Sequence, residues 1–198
     1  MLSQIRPAVV MIVLFSALTG LAYPLAVTAI AQATMRGRAD GGLIAKDGTI
    51  VGSSLIGQNF TSDKYFHGRP SATSAPDPND SSKTVDAPYN AANSAGSNLG
   101  PTSQKLVDRV KAEVAALGGG PDKKVPADAV TTSASGLDPH VSPAYALMQA
   151  GRVAAARGLQ EGKVRELVTL RTETPFLGVF GEPRVNVLML NLDLDRGV

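Results

Sequence analysis

The chain has no cysteine and no tryptophan among its 198 residues, and aromatic residues make up only 5%. The absence of cysteine excludes disulfide bonds, thiol catalysis and cysteine-ligated metal sites. The scarcity of aromatic side chains disfavours a stacking platform for bases or sugars. Only two histidines are present, His67 and His140, and no carboxylate pair accompanies either of them. We therefore expect no bound metal.

A strong net charge is also missing. Of the 19 basic residues Arg6 alone precedes position 36, and none of the 17 acidic residues does, so 18 basic residues face 17 acidic ones in the rest of the chain. Nucleic-acid-binding domains carry a basic patch or stripe, and none is found in this sequence. We expect no nucleic-acid partner.

What the sequence does have is one long charge-free stretch, residues 7–35. As a helix, its apolar part from Ala8 to Ala33 would extend about 39 Å, and a bilayer core is about 30 Å thick. The pattern predicts a short tail at 1–6, a transmembrane helix at 7–35 in the lipid bilayer, and a single soluble domain at 36–198. A cleaved signal peptide is the alternative, and the sparse flanking charges leave the sidedness open.

The soluble domain reads as α+β. An Asp47-Gly48 turn between short apolar runs predicts a β-hairpin over residues 43–52. Residues 71–101 are rich in Ser, Ala, Asn, Asp and Pro, which predicts a long polar loop without regular structure. Apolar residues at both odd and even positions of 185–192 predict a terminal strand that is buried on both faces. We expect a small α/β sandwich-like domain with few strands and about three helices.

Those three helices have clear boundaries. The first is predicted to be capped by Thr102 or Ser103 and to end at the glycines 118–120. The second begins at Ser142-Pro143 and ends at Gly158. The third covers about residues 161–170 and stops before Thr174-Pro175, because a residue that precedes proline disfavours the helical conformation.

Three groups of polar residues invite a catalytic interpretation. Ser135, Asp138 and His140 hold the residue types of a hydrolase triad, but they lie too close in sequence to face one another unless the loop doubles back. A turn followed by a helix N-terminus is the favoured role. The glycine-rich segment 96–102 precedes a helix, yet it lacks the ending of a phosphate-binding P-loop, which favours an ordered loop.

Two acidic residues near the C-terminus form the third group. Glu173 and Glu182 are favoured as structural ion-pair partners of Arg184 or Arg171 rather than as an acid and a base. We predict no catalytic residue and no enzyme activity in this chain itself.

Read together, several motifs resemble the C subunit of the Kdp-type potassium-transporting ATPase. They are YPL at 23–25 with Thr28 and AQ at 31–32, GSSLIGQ at 52–58, YFHGRPS at 65–71, GSNLGPT at 96–102, SGLDPHVSP at 135–143, RVA at 152–154, RG at 157–158 and GEPRVNVL at 181–188. The resemblance spans nearly the whole chain, with the motifs in the same order.

This resemblance implies a single-pass accessory subunit of a bacterial high-affinity potassium pump in the inner membrane, with its soluble domain outside the cytoplasm. The implied partners are a channel-like potassium-binding subunit and a P-type ATPase subunit that hydrolyses ATP. The C subunit would support assembly and act as a catalytic chaperone that raises the affinity for ATP. K⁺ would be the transported ion of the complex, and no cofactor is expected in this chain beyond ATP reached through the complex.

The resemblance also suggests roles for residues. Gln149 matches a glutamine connected with nucleotide binding in the family. The motif residues that we expect to take part in docking are Gly96, Ser97, Asn98, Ser135, Asp138, His140, Glu182 and Arg184. In the anchor, Ser16 and Gly20 lie four residues apart and would give a smooth face for another helix.

Two functions of other classes stay open at this stage. A membrane-anchored hydrolase would use Ser135 and His140. A secreted small-ligand-binding protein would lack residues 1–33 in its mature form.

Overall fold

The computed structural model describes residues 2–197, and these form two compact units that divide between Val51 and Gly52 and that we take separately. The first unit is mainly helical. A 3₁₀ turn over Leu2–Gln4 leads into α1 (Ile5–Ala17), a π-helical segment (Leu18–Ala22) and α2 (Tyr23–Thr34), and a short α3 (Arg36–Ala39) follows. Together Ile5–Thr34 make one apolar helix that is long enough to cross a membrane.

The π-helical segment ends two residues before Pro24, which carries no backbone N–H. Tyr23 N donates to Leu18 O, five residues back, instead of to the carbonyl four residues back. The helix therefore widens by one residue just before the proline and then resumes as α2. Proline and π-segments are both ordinary causes of local distortion in long helices.

The predicted first hairpin is confirmed. Strands β1 (Leu43–Lys46) and β2 (Thr49–Ser53) pair with each other. Asp47 and Gly48 both have positive φ, 51° and 77°, as a type I′ turn requires. The strands are largely exposed to solvent.

The prediction that residues 71–101 lack regular structure is wrong in part. Strands β3 (Ser74–Asp77) and β4 (Asp80–Asp86) form an antiparallel hairpin inside this stretch. Its turn is held by side chains, because Asp77 Oδ1 accepts from Asn79 N at 2.8 Å. A mostly exposed two-stranded ribbon needs no buried apolar face, so the polar composition did not reveal it.

The predicted helices are confirmed. They are α4 (Gln104–Ala116), α6 (Pro143–Arg157) and α7 (Glu161–Leu170), with a further short α5 (Ala127–Val130). Ser142 Oγ accepts from Tyr145 N at 3.1 Å and caps α6, whose end lies at Gly158 with φ 66°. At α4, by contrast, Ser103 occupies the cap position without a side-chain hydrogen bond.

The predicted terminal strand is wrong beyond its first residues. Strand β7 (Arg184–Asn186) lies between β5 (His140–Val141) and β6 (Thr172–Glu173) in an antiparallel sheet, and α8 (Val187–Arg196) follows at once. Asn186 Oδ1 accepts from Met189 N at 3.1 Å and caps this helix. Because α8 is buried on most of its surface, its apolar pattern matches that of a strand covered on both faces.

The core of the second unit lies where α6, α7, α8 and β7 meet around Phe66. Its most buried apolar side chains belong to Phe66, Ala146, Ala150, Val153, Val164, Val168, Val185 and Leu190. Small residues on α6 let α7 pack closely against it. An N-terminal apolar helix followed by a small α/β domain is therefore confirmed as the fold.

Gly136 and Gly158 have nearly the same φ, so their alanine variants distinguish the cost of backbone strain from the cost of side-chain crowding. Gly136 (φ 67°) and Gly158 (φ 66°) both occupy the left-handed region, but a Cβ on Gly136 would lie 2.5 Å from Thr73 Cγ2 and 2.6 Å from Ala95 O. A Cβ on Gly158 meets nothing within 4 Å. We expect Gly158→Ala to cost about 1 kcal/mol and Gly136→Ala about 3 kcal/mol or more.

Thermal unfolding of the full chain in detergent measures both variants. Equal losses of stability would contradict the crowding around Gly136.

Candidate functional site

The most unusual feature of the domain is a stretch of chain without a strand partner, residues 63–67, which leads from exposed positions at 63 and 64 to the buried Phe66 and which we call the clamped segment. The side chain of Phe66 within it is fully buried. Buried peptide groups need hydrogen-bond partners, and regular secondary structure supplies none to this segment. Side chains of α6 and α8 take that role.

Two side-chain amides bind consecutive peptide units. Asn191 on α8 accepts from Phe66 N at 2.8 Å and donates to Phe66 O at 3.0 Å. Gln149 on α6 accepts from His67 N at 2.8 Å and donates to His67 O at 3.1 Å. Both amides are buried, with 1% of Asn191 and 5% of Gln149 exposed. Each amide reproduces the donor and acceptor pair that a neighbouring strand would offer.

Two arginines of α6 take the remaining carbonyls. Arg152 donates to Asp63 O at 2.7 Å and to Tyr65 O at 3.1 Å, and Arg157 donates to Lys64 O at 2.6 Å. All five successive carbonyl groups of the clamped segment thus accept a hydrogen bond from a side chain. Arg157 also reaches Leu194 O and the Asp195 carboxylate, which ties α6 to the end of α8.

This arrangement defines what Gln149 contacts. Its Oε1 accepts from His67 N and from Arg152 Nη2, the latter at 2.7 Å, while its Nε2 donates to His67 O. Both lone-pair directions of the oxygen and one of the two amide protons are used. The side chain predicted to bind nucleotide therefore holds the clamped segment, and a nucleotide contact at this residue stays a prediction.

A second polar cluster joins Arg69, Asp138 and His140. Arg69 Nη1 lies 3.1 Å from Asp138 Oδ2, and Arg69 Nη2 donates to Thr132 O at 3.3 Å. Asp138 Oδ1 accepts from His140 N at 3.0 Å. Burial would raise the pKa of Asp138, but the hydrogen bonds from His140 and the charge of Arg69 outweigh it and leave that pKa below its usual value.

The cluster brings two of the three predicted hydrolase residues together. Ser135, however, uses its Oγ to accept from Leu137 N at 3.1 Å. Among the hydrogen bonds of the described residues, none joins Ser135 to His140. The turn and helix N-terminus favoured from the sequence is therefore the structure of this stretch, and Asp128 anchors it by accepting from Ser142 N and Oγ at 2.6 and 2.9 Å.

The glycine-rich segment 96–102 packs against the same turn. A Cβ on Gly96 would lie 2.8 Å from Ala134 O, and Thr132 Oγ1 donates to Ser97 Oγ at 3.2 Å or accepts from it. Asn98 adopts a positive φ of 50° at the exposed side. The ordered loop favoured from the sequence is confirmed, and the glycine at 96 is required by close backbone approach.

The remaining predicted residues lie at exposed positions. Arg184 Nε is 2.9 Å from Glu173 Oε2, which confirms one of the predicted ion pairs, whereas Arg171 pairs with Asp193 instead. Glu182 is exposed in the loop that precedes β7. In the helical unit, a Cβ on Gly20 would meet nothing within 4 Å.

An open cleft of about 390 Å³ lies beside the clamped segment and is lined by His67, Arg69, Tyr89 and Tyr145 among others. Tyr89 donates to Arg69 O at 2.7 Å, and burial raises the pKa of Tyr89 to about 12. Burial also raises the pKa of Tyr145. No group of three or more potential metal ligands occurs among residues 2–197.

Sequence reasoning did not identify Asn191, Arg152, Arg157 or the two tyrosines as site-forming residues. The arginines stand in the motifs at 152–154 and 157–158, which was the available signal. Asn191 gave one weak sign, an amide inside an otherwise apolar run.

Fold and site together define a small α/β domain carried on one apolar helix of membrane-spanning length, with its buried polar side chains holding its own backbone. The family model described as K+-transporting ATPase, c chain (KdpC), matches residues 5–196. The chain belongs to this family, and it is a subunit of a potassium-transporting ATPase.

Similar proteins cover the full length. Potassium-transporting ATPase KdpC subunits from Rhodopseudomonas palustris, Bradyrhizobium diazoefficiens and Methylorubrum extorquens are 61%, 60% and 62% identical over 196, 197 and 195 residues. The aligned region covers 98%, 99% and 98% of this chain and 98%, 98% and 97% of those proteins, respectively. The resemblance identified from the motifs is therefore confirmed.

The clamped segment makes stability depend on pH through His67. Burial and the charge of Arg152 lower the pKa of His67 below 6.5, and the hydrogen bond to the Ser62 backbone and the charge of Asp63 oppose this shift. Below pH 6.5 the unfolded chain binds the proton more readily than the folded one, so stability falls as pH drops through 6.5 toward the lowered pKa. We expect the Tm of the full chain to decline between pH 7.5 and 5, and His67→Gln to flatten this decline.

Melting curves of both proteins at matched ionic strength check this. Parallel pH profiles for the two would exclude His67 as the source.

Proposed function

We propose that the chain is the accessory subunit that assembles and stabilises a high-affinity, ATP-driven potassium uptake pump. A retained helix at 7–35 would anchor it in the bacterial inner membrane, with the domain at 36–198 outside the cytoplasm. Family membership supports the pump, and the apolar helix Ile5–Thr34 supports the anchor. The observation that carries the accessory role is the clamped segment, whose buried polar partners serve the integrity of the domain.

Two partners are proposed. A channel-like subunit would bind and conduct K⁺, and a P-type ATPase subunit would hydrolyse ATP. The assignment of hydrolysis to a partner is supported by the engagement of the chain's own candidates, since Ser135 bonds to Leu137 and Asp138 to Arg69 and His140. The chain would contribute surfaces rather than reacting groups.

The docking candidates divide by exposure. Asn98, Ser135, Glu182 and Arg184 are exposed and free to meet a partner surface, whereas Gly96, Ser97, Asp138 and His140 are partly buried. We propose that the exposed group makes the contacts. The second group would position the turn and the loop that present the first.

An effect on ATP affinity is the finer part of the proposal. The chain would act as a catalytic chaperone, and Gln149 would influence ATP through the clamped segment. Its amide is 5% exposed and bonded to His67 and Arg152, which supports an indirect action. Direct nucleotide binding at this amide would have to use its one remaining N–H proton or displace His67 or Arg152.

The anchor provides the first test. Ser16 and Gly20 lie on one face of the helix, where small residues allow a second helix to approach closely. We expect Gly20→Leu to lower the recovery of the other pump subunits in a pull-down through a C-terminal tag in mild detergent. Ala22→Leu places the same leucine side chain about half a turn away and should leave recovery unchanged.

Full recovery with Gly20→Leu would contradict the proposal that this helix face contacts another pump subunit. Loss with both variants would indicate damage to the helix itself.

Gln149 and Asn191 provide the second test, because each binds one peptide of the same segment. Removal of either amide leaves a buried N–H and C=O unpaired, at a cost of about 1–3 kcal/mol for each orphaned group. We expect Gln149→Ala and Asn191→Ala to lower the Tm of the chain and to raise the KM for ATP of the purified complex in parallel. K⁺-stimulated ATP hydrolysis measures the latter.

A rise in KM with Gln149→Ala alone, at equal loss of stability, would instead assign a direct nucleotide contact to Gln149.

A further inference from the structure

The loop between β6 and β7 exposes an unusual amount of apolar surface. Within residues 175–180, which we call the apolar loop, Phe176 is 72% exposed, Leu177 76%, Val179 77% and Phe180 66%. Soluble surfaces carry single exposed apolar residues routinely, but contiguous groups mark interaction sites. All four side chains are exposed by about two thirds or more, so the loop forms a knob rather than one flat face.

Four N–H groups of the apolar loop donate to carbonyls within the loop. Phe176 N donates to Phe180 O and Phe180 N donates to Phe176 O, each at 3.0 Å. Gly178 N donates to Pro175 O at 2.9 Å, and Val179 N to Phe176 O at 3.2 Å. Peptide groups that enter a region without water must be paired within the protein. This loop meets that condition for the N–H groups of Phe176, Gly178, Val179 and Phe180.

Charge is confined to the base of the loop. Residues 174–181 contain no charged side chain, and Glu173 and Arg184 form an ion pair across the two strands at the base. Glu182 adds a further charge at the same level. An apolar tip above a charged collar is the distribution expected of a segment that lies at the boundary between hydrocarbon and water.

The base of the loop lies close to the point where the chain enters this domain. Asn186, at the end of β7, donates through Nδ2 to Ser54 O at 2.9 Å. Arg184 is two residues earlier on the same strand, so about 7 Å of strand separates the two positions. The first residues of this domain, around Ser54, are therefore neighbours of the strand that follows the loop.

We propose that the apolar loop inserts into the surface of the bilayer that holds the chain's own helix. The proposal goes beyond the assembly role and rests only on its membrane anchoring. The knob shape favours fluid lipid over a pocket of fixed form, and chain connectivity keeps the domain at that surface. Insertion of Phe176, Leu177, Val179 and Phe180 would give the domain a second, non-helical contact with the membrane.

The absence of native cysteine makes a clean labelling test possible. Leu177→Cys in the full chain is labelled with the environment-sensitive NBD fluorophore and placed in phosphatidylethanolamine–phosphatidylglycerol vesicles with and without nitroxide-labelled acyl chains. Val179→Cys is the second loop site. Ser81→Cys, on the exposed strand β4, is the matched control. The same labels are then measured in the purified complex after reconstitution.

We expect nitroxide lipid to quench the label at 177 and at 179 several-fold more than the label at 81, both in the isolated chain and in the complex. Flotation of all variants with the vesicles shows separately that the helix anchors the chain. Water-like emission at both loop sites overturns the proposal while leaving the anchor and the assembly role intact. A blue-shifted emission in the complex without nitroxide quenching also overturns it, because a protein pocket then covers the loop.

Discussion

The domain depends on one constraint, which is that five successive peptide carbonyls, those of residues 63–67, lead into its core at Phe66 without a neighbouring strand. Each unpaired buried group would cost about 1–3 kcal/mol, so leaving the peptide groups around the buried Phe66 unsupported would remove a large part of the stability of a small domain. Asn191, Gln149, Arg152 and Arg157 remove this cost by hydrogen bonding to the segment. Phe66 can then fill the core.

This solution couples parts of the chain that are distant in sequence. The segment meets α6 more than 80 residues later and α8 about 125 residues later. Arg157 completes the connection by bonding to Lys64, Leu194 and Asp195. A change at any of these side chains therefore acts on the whole domain, and an altered pump activity after such a change does not by itself identify a ligand contact. The Gln149 amide illustrates this point.

The turn around Asp138 is likewise held by side-chain hydrogen bonds. Its carboxylate receives Arg69 on one oxygen and His140 N on the other, and Asp128 fixes the start of α6 at the other end of the turn. Residue types that suggest catalysis in the sequence thus serve geometry in the fold. What remains for partner proteins is the exposed surface, namely the loop around Asn98 and the strand at Arg184.

The sequence by itself determined the elements whose signals are local. The charge-free stretch showed the apolar helix, Asp47-Gly48 showed the first hairpin, and Ser142-Pro143 with Gly158 marked both ends of α6, because turns and caps depend on a few neighbouring residues. The motifs also identified the family. Local signals failed at residues 185–192, where burial on all sides of α8 erases the periodicity that distinguishes a helix from a strand, and at β3–β4, which bury no apolar face.

Only the tertiary structure decided what the polar side chains do. The partners of Gln149, Asn191 and Arg152 are backbone groups of a segment far away in sequence. A sequence does not distinguish one peptide group from another, so it does not show these pairings. The exposure of the apolar loop has the same origin, because an apolar run at 176–180 reads as core until the packing leaves it outside. Spacing and composition record which groups are available, and long-range packing determines which of them meet.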